Sequence, residues 1–192
     1  MLRKRLFSFL SGLLLLASGP LMAAEYKIDT EGQHAFIQFR IQHLGYSWLY
    51  GRFNDFDGGF TYDEANPDKS KVNITIDMSS IDSNHAERDK HLRGEDFFHV
   101  SKYPEARFVS TAFEDHGDGT ATLQGDLTIK DVTRNVTIDV KHVGHGEDPW
   151  GGYRRGFAGT TTIKLKDFNI DYDLGPASTY AELELSIEGI RQ

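Results

Sequence analysis

Apolar and polar residues alternate strictly over Ile37 to Gln42. Ala35, Ile37, Phe39 and Ile41 fall on one face, and Gln38, Arg40 and Gln42 on the other. A period of two predicts a strand with one dry and one wet side. The same period returns at Val72, Ile74, Ile76 and Met78, then at Leu123, Leu127 and Ile129 around Gly125. Further copies lie at Val136-Ile138-Val140, at Phe157-Thr161-Ile163-Leu165 and at Leu183-Leu185-Ile187. With the two aromatic segments near the start and Arg107 to Phe113, about eight strands are predicted. Turn residues punctuate them: Gly58-Gly59, Asn66-Pro67-Asp68, Gly117-Asp118-Gly119 and Asp148 to Gly152.

One segment departs from this period. Asn84 is placed to cap a helix, with Glu87 three residues on and Gly94 as its stop. The residues between are nearly all charged, so the helix lies on the surface and only Ala86, Leu92 and the following Phe97-Phe98 press inward. Antiparallel strands in hairpin order with one short surface helix predict an all-β fold, a barrel or sandwich. Closure is preferred, because about eight strands enclose one small ligand.

Rings concentrate early. His34 to Tyr62 holds nine of the chain's aromatic side chains. Such a wall either fills a large core or lines an apolar cavity, and pattern alone leaves both open. Residues expected to line a cavity are Ile37, Phe39, Ile41, Trp48, Phe53 and Phe60 from the first segments. Ile74, Ile76, Phe98 and Phe108 join them from later ones. His43 shares the parity of Ile41 and is expected to face inward, as a satisfied core imidazole or as a polar contact for a mostly apolar ligand.

The first residues read as a signal peptide over 1–23. Arg3, Lys4 and Arg5 precede an apolar run from Leu6 to Ala17, and small residues follow at Ala23-Ala24. That run falls short of the ~20 residues of a bilayer span, so no stable membrane anchor is expected. Residues 24–192 then form one barrel domain, and the expected compartment is the periplasm. The leader carries three cations and no acid, so its removal takes the net charge from −8 to −11. A surface so acidic repels nucleic acid and anionic lipid.

Catalytic and metal signatures are sparse. The chain has no cysteine, which removes thiol chemistry and cysteine-ligated zinc. Gly-x-Ser-x-Gly and His-Glu-x-x-His do not occur. His85 and His91 stand six apart, off a common helix face, and His142 and His145 have no carboxylate at ligand spacing. Neither a catalytic set nor a metal site is expected.

Ordered motifs carry a family resemblance. His34-x-x-x-x-Phe39-x-Ile41-x-His43-Leu44-Gly45, Gly51-x-Phe53, Arg88-Asp89-x-His91-Leu92-Arg93, Phe97-Phe98, Tyr103-Pro104 and Gly125-x-Leu127-Thr128-Ile129-Lys130-Asp131 together resemble the YceI family. The resemblance implies a lipocalin-like antiparallel barrel whose hydrophobic pore binds a polyisoprenoid, such as an isoprenoid quinone tail, with no other cofactor. It implies turn roles for Gly45 and Gly51 and capping contacts for Asp89. A carrier or reservoir of isoprenoid lipid is the expected function. An enzyme using His43 as acid and base, or a packed barrel with no ligand, is the alternative. A homodimer stays open, and no delivery partner is indicated.

Overall fold

The computed structural model describes residues 23–192, so the expected leader lies outside the described residues except for Ala23. Eleven strands form one antiparallel sheet. In chain order they are β1 (Ala24–Ile28), β2 (Phe36–His43), β3 (Ser47–Phe53), β4 (Phe56–Tyr62), β5 (Lys71–Asp77) and β6 (Ile81–Asp82). After a single α-helix, α1 (Ala86–Arg93), follow β7 (Glu105–Asp115), β8 (Thr120–Ile129), β9 (Val132–Glu147), β10 (Tyr153–Lys164) and β11 (Tyr180–Arg191). Eight of them, in the order β1-β4-β5-β7-β8-β9-β10-β11, close into a barrel through the β1–β11 pairing. The all-β barrel with one short helix is borne out.

The remaining strands hang from a fork. β11 pairs its C-terminal end with β1, Gly189 opposite Ile28, and its N-terminal half with β2, Ala181 opposite Ile41. β2 continues into the β2–β3 hairpin, and β3 meets β6 only at Arg52–Asp82 and Phe53–Ile81. The wall therefore splits at one end of the barrel, and α1 covers the split. Arg93 holds α1 there by donating to the Ser79 and Ile81 carbonyls, while Phe98 packs edge-on against Phe53.

The helix begins one residue later than the capping pattern suggests. His85 is the cap, its Nδ1 accepting from the Arg88 amide, and Asn84 takes a left-handed φ of 63°. Asp89 is buried and accepts from the Ser83 amide and hydroxyl, which ties the helix to the loop before it. Gly94 ends the helix as expected.

Several glycines lie within strands rather than at turns. Gly51 is mid-strand in β3 opposite Phe39, and a Cβ there would meet the Phe39 ring at 2.3 Å. Gly125 stands in the same relation to Phe108, and Gly189 to Phe60. A ring laid across a bare backbone fills the space a side chain would otherwise occupy. Gly58-Gly59 likewise sits inside β4, because the neighbouring Asn73 and Tyr26 carbonyls leave no room for a Cβ. Gly45 does make a turn, at φ 80°.

A clasp secures the ring where β1 leaves it. Arg154 donates to Asp29 and Glu188 at 2.5 Å each and to Asp148 at 2.8 Å, and His34 meets Asp29 at 2.8 Å. Asp29, His34 and Glu188 are close enough together to suggest a cation, but the Arg154 guanidinium already supplies the positive charge between them. Hydrogen bonds from Arg154, then His34, hold the Asp29 carboxyl at about 2.

Gly51→Ala and Gly125→Ala should each lower stability by about 1–3 kcal/mol through overpacking. Gly144→Ala, with open space around it, serves as the control; equal effects in urea melts would contradict the ring-over-glycine packing. Asp29→Asn should cost about 2 kcal/mol at neutral pH. Because the folded pKa is depressed, this stabilisation is complete above about pH 4 and disappears as pH falls through 2. The gap between wild type and Asp29→Asn should narrow over that window, and a gap that persists at pH 2 counts against the clasp.

Candidate functional site

Inside the barrel, under the β2–β3 hairpin and α1, lies a cavity of about 590 Å³. Its wall is almost wholly apolar. β2 contributes Ile37, Phe39 and Ile41, its neighbour β11 contributes Leu183, β8 and β10 contribute Leu127, Ile129 and Ile163, and α1 with its following turn adds Leu92, Phe97 and Phe98. The volume falls in the range that takes small molecules. Arg88 of α1 also borders it, with its guanidinium donating to the Ser83 hydroxyl and carbonyl, and the other polar groups gather at one end: Gln42, His43, His91, Tyr172, Asp173 and Ser178. His91 is braced by Asp96 at 2.9 Å and by edge contacts to Phe97 and Tyr172.

That end is the mouth. The β2–β3 turn and the 172–178 loop meet there, with Ser178 donating to the Gln42 carbonyl at 2.5 Å. Leu44 both lines the cavity and stands in solvent. A larger depression of about 900 Å³ lies on the outer face, bounded by Gln38, Arg40, Thr160, Thr162, Glu182 and Glu184. Its hydrated walls offer no dry environment, so the internal cavity is the stronger site for an apolar ligand.

Comparison with known proteins agrees with this architecture. A YceI-like domain model matches residues 26–189. A UPF0312 protein of Pseudomonas aeruginosa is 62% identical over 192 residues, all of both chains. The chain belongs to the YceI family. A UPF0312 protein of Serratia proteamaculans is 58% identical, covering all of this chain and 99% of its own. Among solved structures, a Campylobacter jejuni YceI protein matches at TM-score 0.71 and 27% identity, over 79% of this chain and 90% of its own. A polyisoprenoid binding domain from Saccharophagus degradans, 15% identical, shares the fold at TM-score 0.64 over 87% of this chain and 98% of its own.

In this YceI barrel seven of the expected lining residues reach the cavity: Ile37, Phe39, Ile41, His43, Phe53, Ile76 and Phe98. His43 stands at the mouth rather than deep inside. Four others do not line it. Trp48 faces outward, since it pairs with Gln42 on the wet side of β2 and covers Arg40 at 4.4 Å. Leu49 and Phe53 occupy the inward positions of β3 instead. Ile74 and Phe108 are buried opposite one another, and the Phe108 ring lies over Gly125 to make the floor. Phe60 is buried farther down, stacked on Tyr26 at 4.8 Å and against Phe157 at 5.5 Å. Leu127, Ile129, Ile163 and Leu183 belong to recognised alternating segments. Only the closed sheet brings them to one cavity, Leu183 beside Phe39 on the adjacent β11 and the others from β8 and β10.

The base of the barrel is sealed by charge. Arg155 is fully buried on β10, ion-paired to Glu64, and stacks over Tyr62 at 3.9 Å. Its Nη1 donates to His142 Nε2 at 3.3 Å, while its Nε has no partner. Burial, then the Arg155 and His145 charges, hold His142 below the ordinary imidazole value and favour the neutral acceptor this contact needs. Burial pushes the Tyr62 hydroxyl up. No alternation pattern marks this group, because Tyr62, Glu64, His142 and Arg155 come from separate segments.

Glu64→Gln should destabilise by about 1–3 kcal/mol, since it leaves the buried guanidinium without its counter-charge. Adding Arg155→Met should recover most of that loss, because an apolar chain of similar length needs no partner. Additive losses in a double-mutant cycle would show that the pair does not act as a unit.

Proposed function

We propose that this protein is exported to the periplasm and holds a polyisoprenoid chain in the barrel cavity, as a carrier or reservoir. One observation carries the reading: the cavity wall is mostly apolar, and its few polar side chains come from the end of β2, from α1 and from the 172–178 loop. A prenyl tail fits that polarity. Each buried CH₂ is worth about 0.8 kcal/mol, so several isoprene units supply affinity without polar contacts. A headgroup such as a quinone ring would then sit at the mouth, where His43, Gln42 and His91 offer hydrogen bonds. The family and the printed polyisoprenoid binding of a fold relative support the same ligand class.

This is a binding role rather than catalysis. His43 lies on the cavity rim with no carboxylate or nucleophile hydrogen-bonded to it among the described residues, so the acid–base alternative gains no support from its surroundings. The packed-barrel alternative describes the lower half of the molecule only. A homodimer is not required, since one chain encloses the cavity.

Expression with the native leader should deliver the protein to the periplasmic fraction. Solvent extraction of the purified protein and mass spectrometry should find a near-stoichiometric isoprenoid lipid. Ala106→Phe, which puts bulk into the cavity from a buried wall position, should fold with a similar melting temperature and lose most of that lipid. A wild-type protein free of isoprenoid, and unable to take up a polyprenol supplied in detergent, would end the carrier reading.

A further inference from the structure

Large apolar and aromatic side chains left in solvent are distributed unevenly over this barrel. Ten are exposed among the described residues, and six of them lie at or beside the mouth: Leu44, Tyr46, Tyr172 and Tyr180 at its edge, and Trp48 and Tyr50 on the outer face of β3, where Tyr50 also borders the outer depression. Tyr46, at the hairpin tip, is 87% exposed. The other four, Phe36, Val109, Val143 and Trp150, come from separate segments. Tyrosine and tryptophan prefer a membrane–water boundary, where the ring is shielded and the polar tip stays hydrated.

The hairpin turn supports a role for its exposed tip. His43 to Tyr46 closes with a 2.9 Å bond from the Tyr46 amide to the His43 carbonyl, and both Leu44 and Gly45 have positive φ. Asn or Gly is usual at such positions, and a leucine there bears backbone strain. Strain at that point keeps an apolar side chain at the mouth, where it is both cavity wall and outer surface.

We infer that this aromatic collar docks the mouth onto the surface of a lipid bilayer, so that a polyprenyl chain moves between bilayer and cavity without crossing water. The inference rests on the lipid-binding reading above. An apolar chain does not dissolve in water on its own, so the mouth must meet the bilayer that supplies it. Without the leader the chain's net charge of −11 favours zwitterionic over anionic lipid, leaving the collar rather than charge to hold the contact.

The two tryptophans give a direct test, since Trp48 lies in the collar and Trp150 is on the β9–β10 turn. With Trp150→Phe, the remaining Trp48 should shift to the blue and be quenched when phosphatidylcholine vesicles carrying a doxyl-labelled lipid are added. With Trp48→Phe, the remaining Trp150 should not respond. Equal responses, or none, would overturn the docking face. So would a Trp48 shift that follows protein concentration without vesicles, which would mark the collar as a contact with a second copy.

A second measurement separates docking from ligand binding. Tyr46→Ser with Tyr180→Ser, both outside the cavity wall, should slow extraction of a polyprenol from these vesicles several-fold. Uptake of the same polyprenol from detergent micelles should be unchanged. An unaltered extraction rate overturns the docking inference alone. If wild type takes up polyprenol from neither source, the lipid-binding reading fails, whatever Trp48 reports.

Discussion

Everything distinctive in this molecule follows from a strand with two partners. β11 is twelve residues long, and neither β1 nor β2 is long enough to pair with all of it. Its C-terminal end closes the ring with β1, and its N-terminal half turns to β2. Backbone donors must be satisfied along the whole strand, so the wall forks instead of ending. Below the fork the barrel is a complete ring. Above it the wall becomes a hairpin flap with an edge that must be covered, and α1 with Phe97 and Phe98 covers it. A helix laid over a gap encloses space in a way that a paired strand would not.

The fork also settles whether the rings fill or line the interior. Below it, Phe108 over Gly125 and Phe60 over Gly189 occupy the volume that missing side chains leave, and the rings fill rather than line. Above it, Phe39 covers Gly51, but much of the remaining wall is small or flexible aliphatic, as at Ala106, Ala181 and Leu183, and the lumen stays open. Packed and hollow are both correct descriptions, each of one end. Arg155 completes the lower end: a buried cation stacked on Tyr62 makes that base polar and closed, so an apolar chain has access from the mouth only.

Much of this was legible in the residues. Period-two alternation located the strands, and Gly94 located the helix stop. The inward parity of Ile37, Phe39 and Ile41 was readable because β2 alternates without interruption. Trp48 is misplaced because its inward facing needs a two-residue turn: the turn is three residues long, Leu44 to Tyr46, which puts Ser47 opposite His43 and keeps the odd positions facing inward in β3 as in β2. Ile74 and Phe108 have the right facing but the wrong height, and height along a barrel axis depends on strand stagger, which local pattern does not encode. Glu64 and Arg155 are 91 positions apart, so the base seal exists only once the ring has closed.

Polarity thus changes along one axis, from a charged base through a solid aromatic waist and a dry chamber to an amphipathic rim. Each level limits what a ligand can do there. A charged end of a lipid gains nothing by passing the waist, because the buried Phe108 and Phe60 rings there offer it no polar partner. An apolar end gains from the chamber but cannot cross the rim unless the water around it is displaced. The outward turn of Trp48 therefore has a physical consequence: the side chain that the three-residue turn leaves outside the chamber joins Tyr46 and Tyr50 on the outer side of the hairpin. One hairpin then supplies both surfaces, with its inward positions dry for a chain and its outward positions suited to a membrane interface.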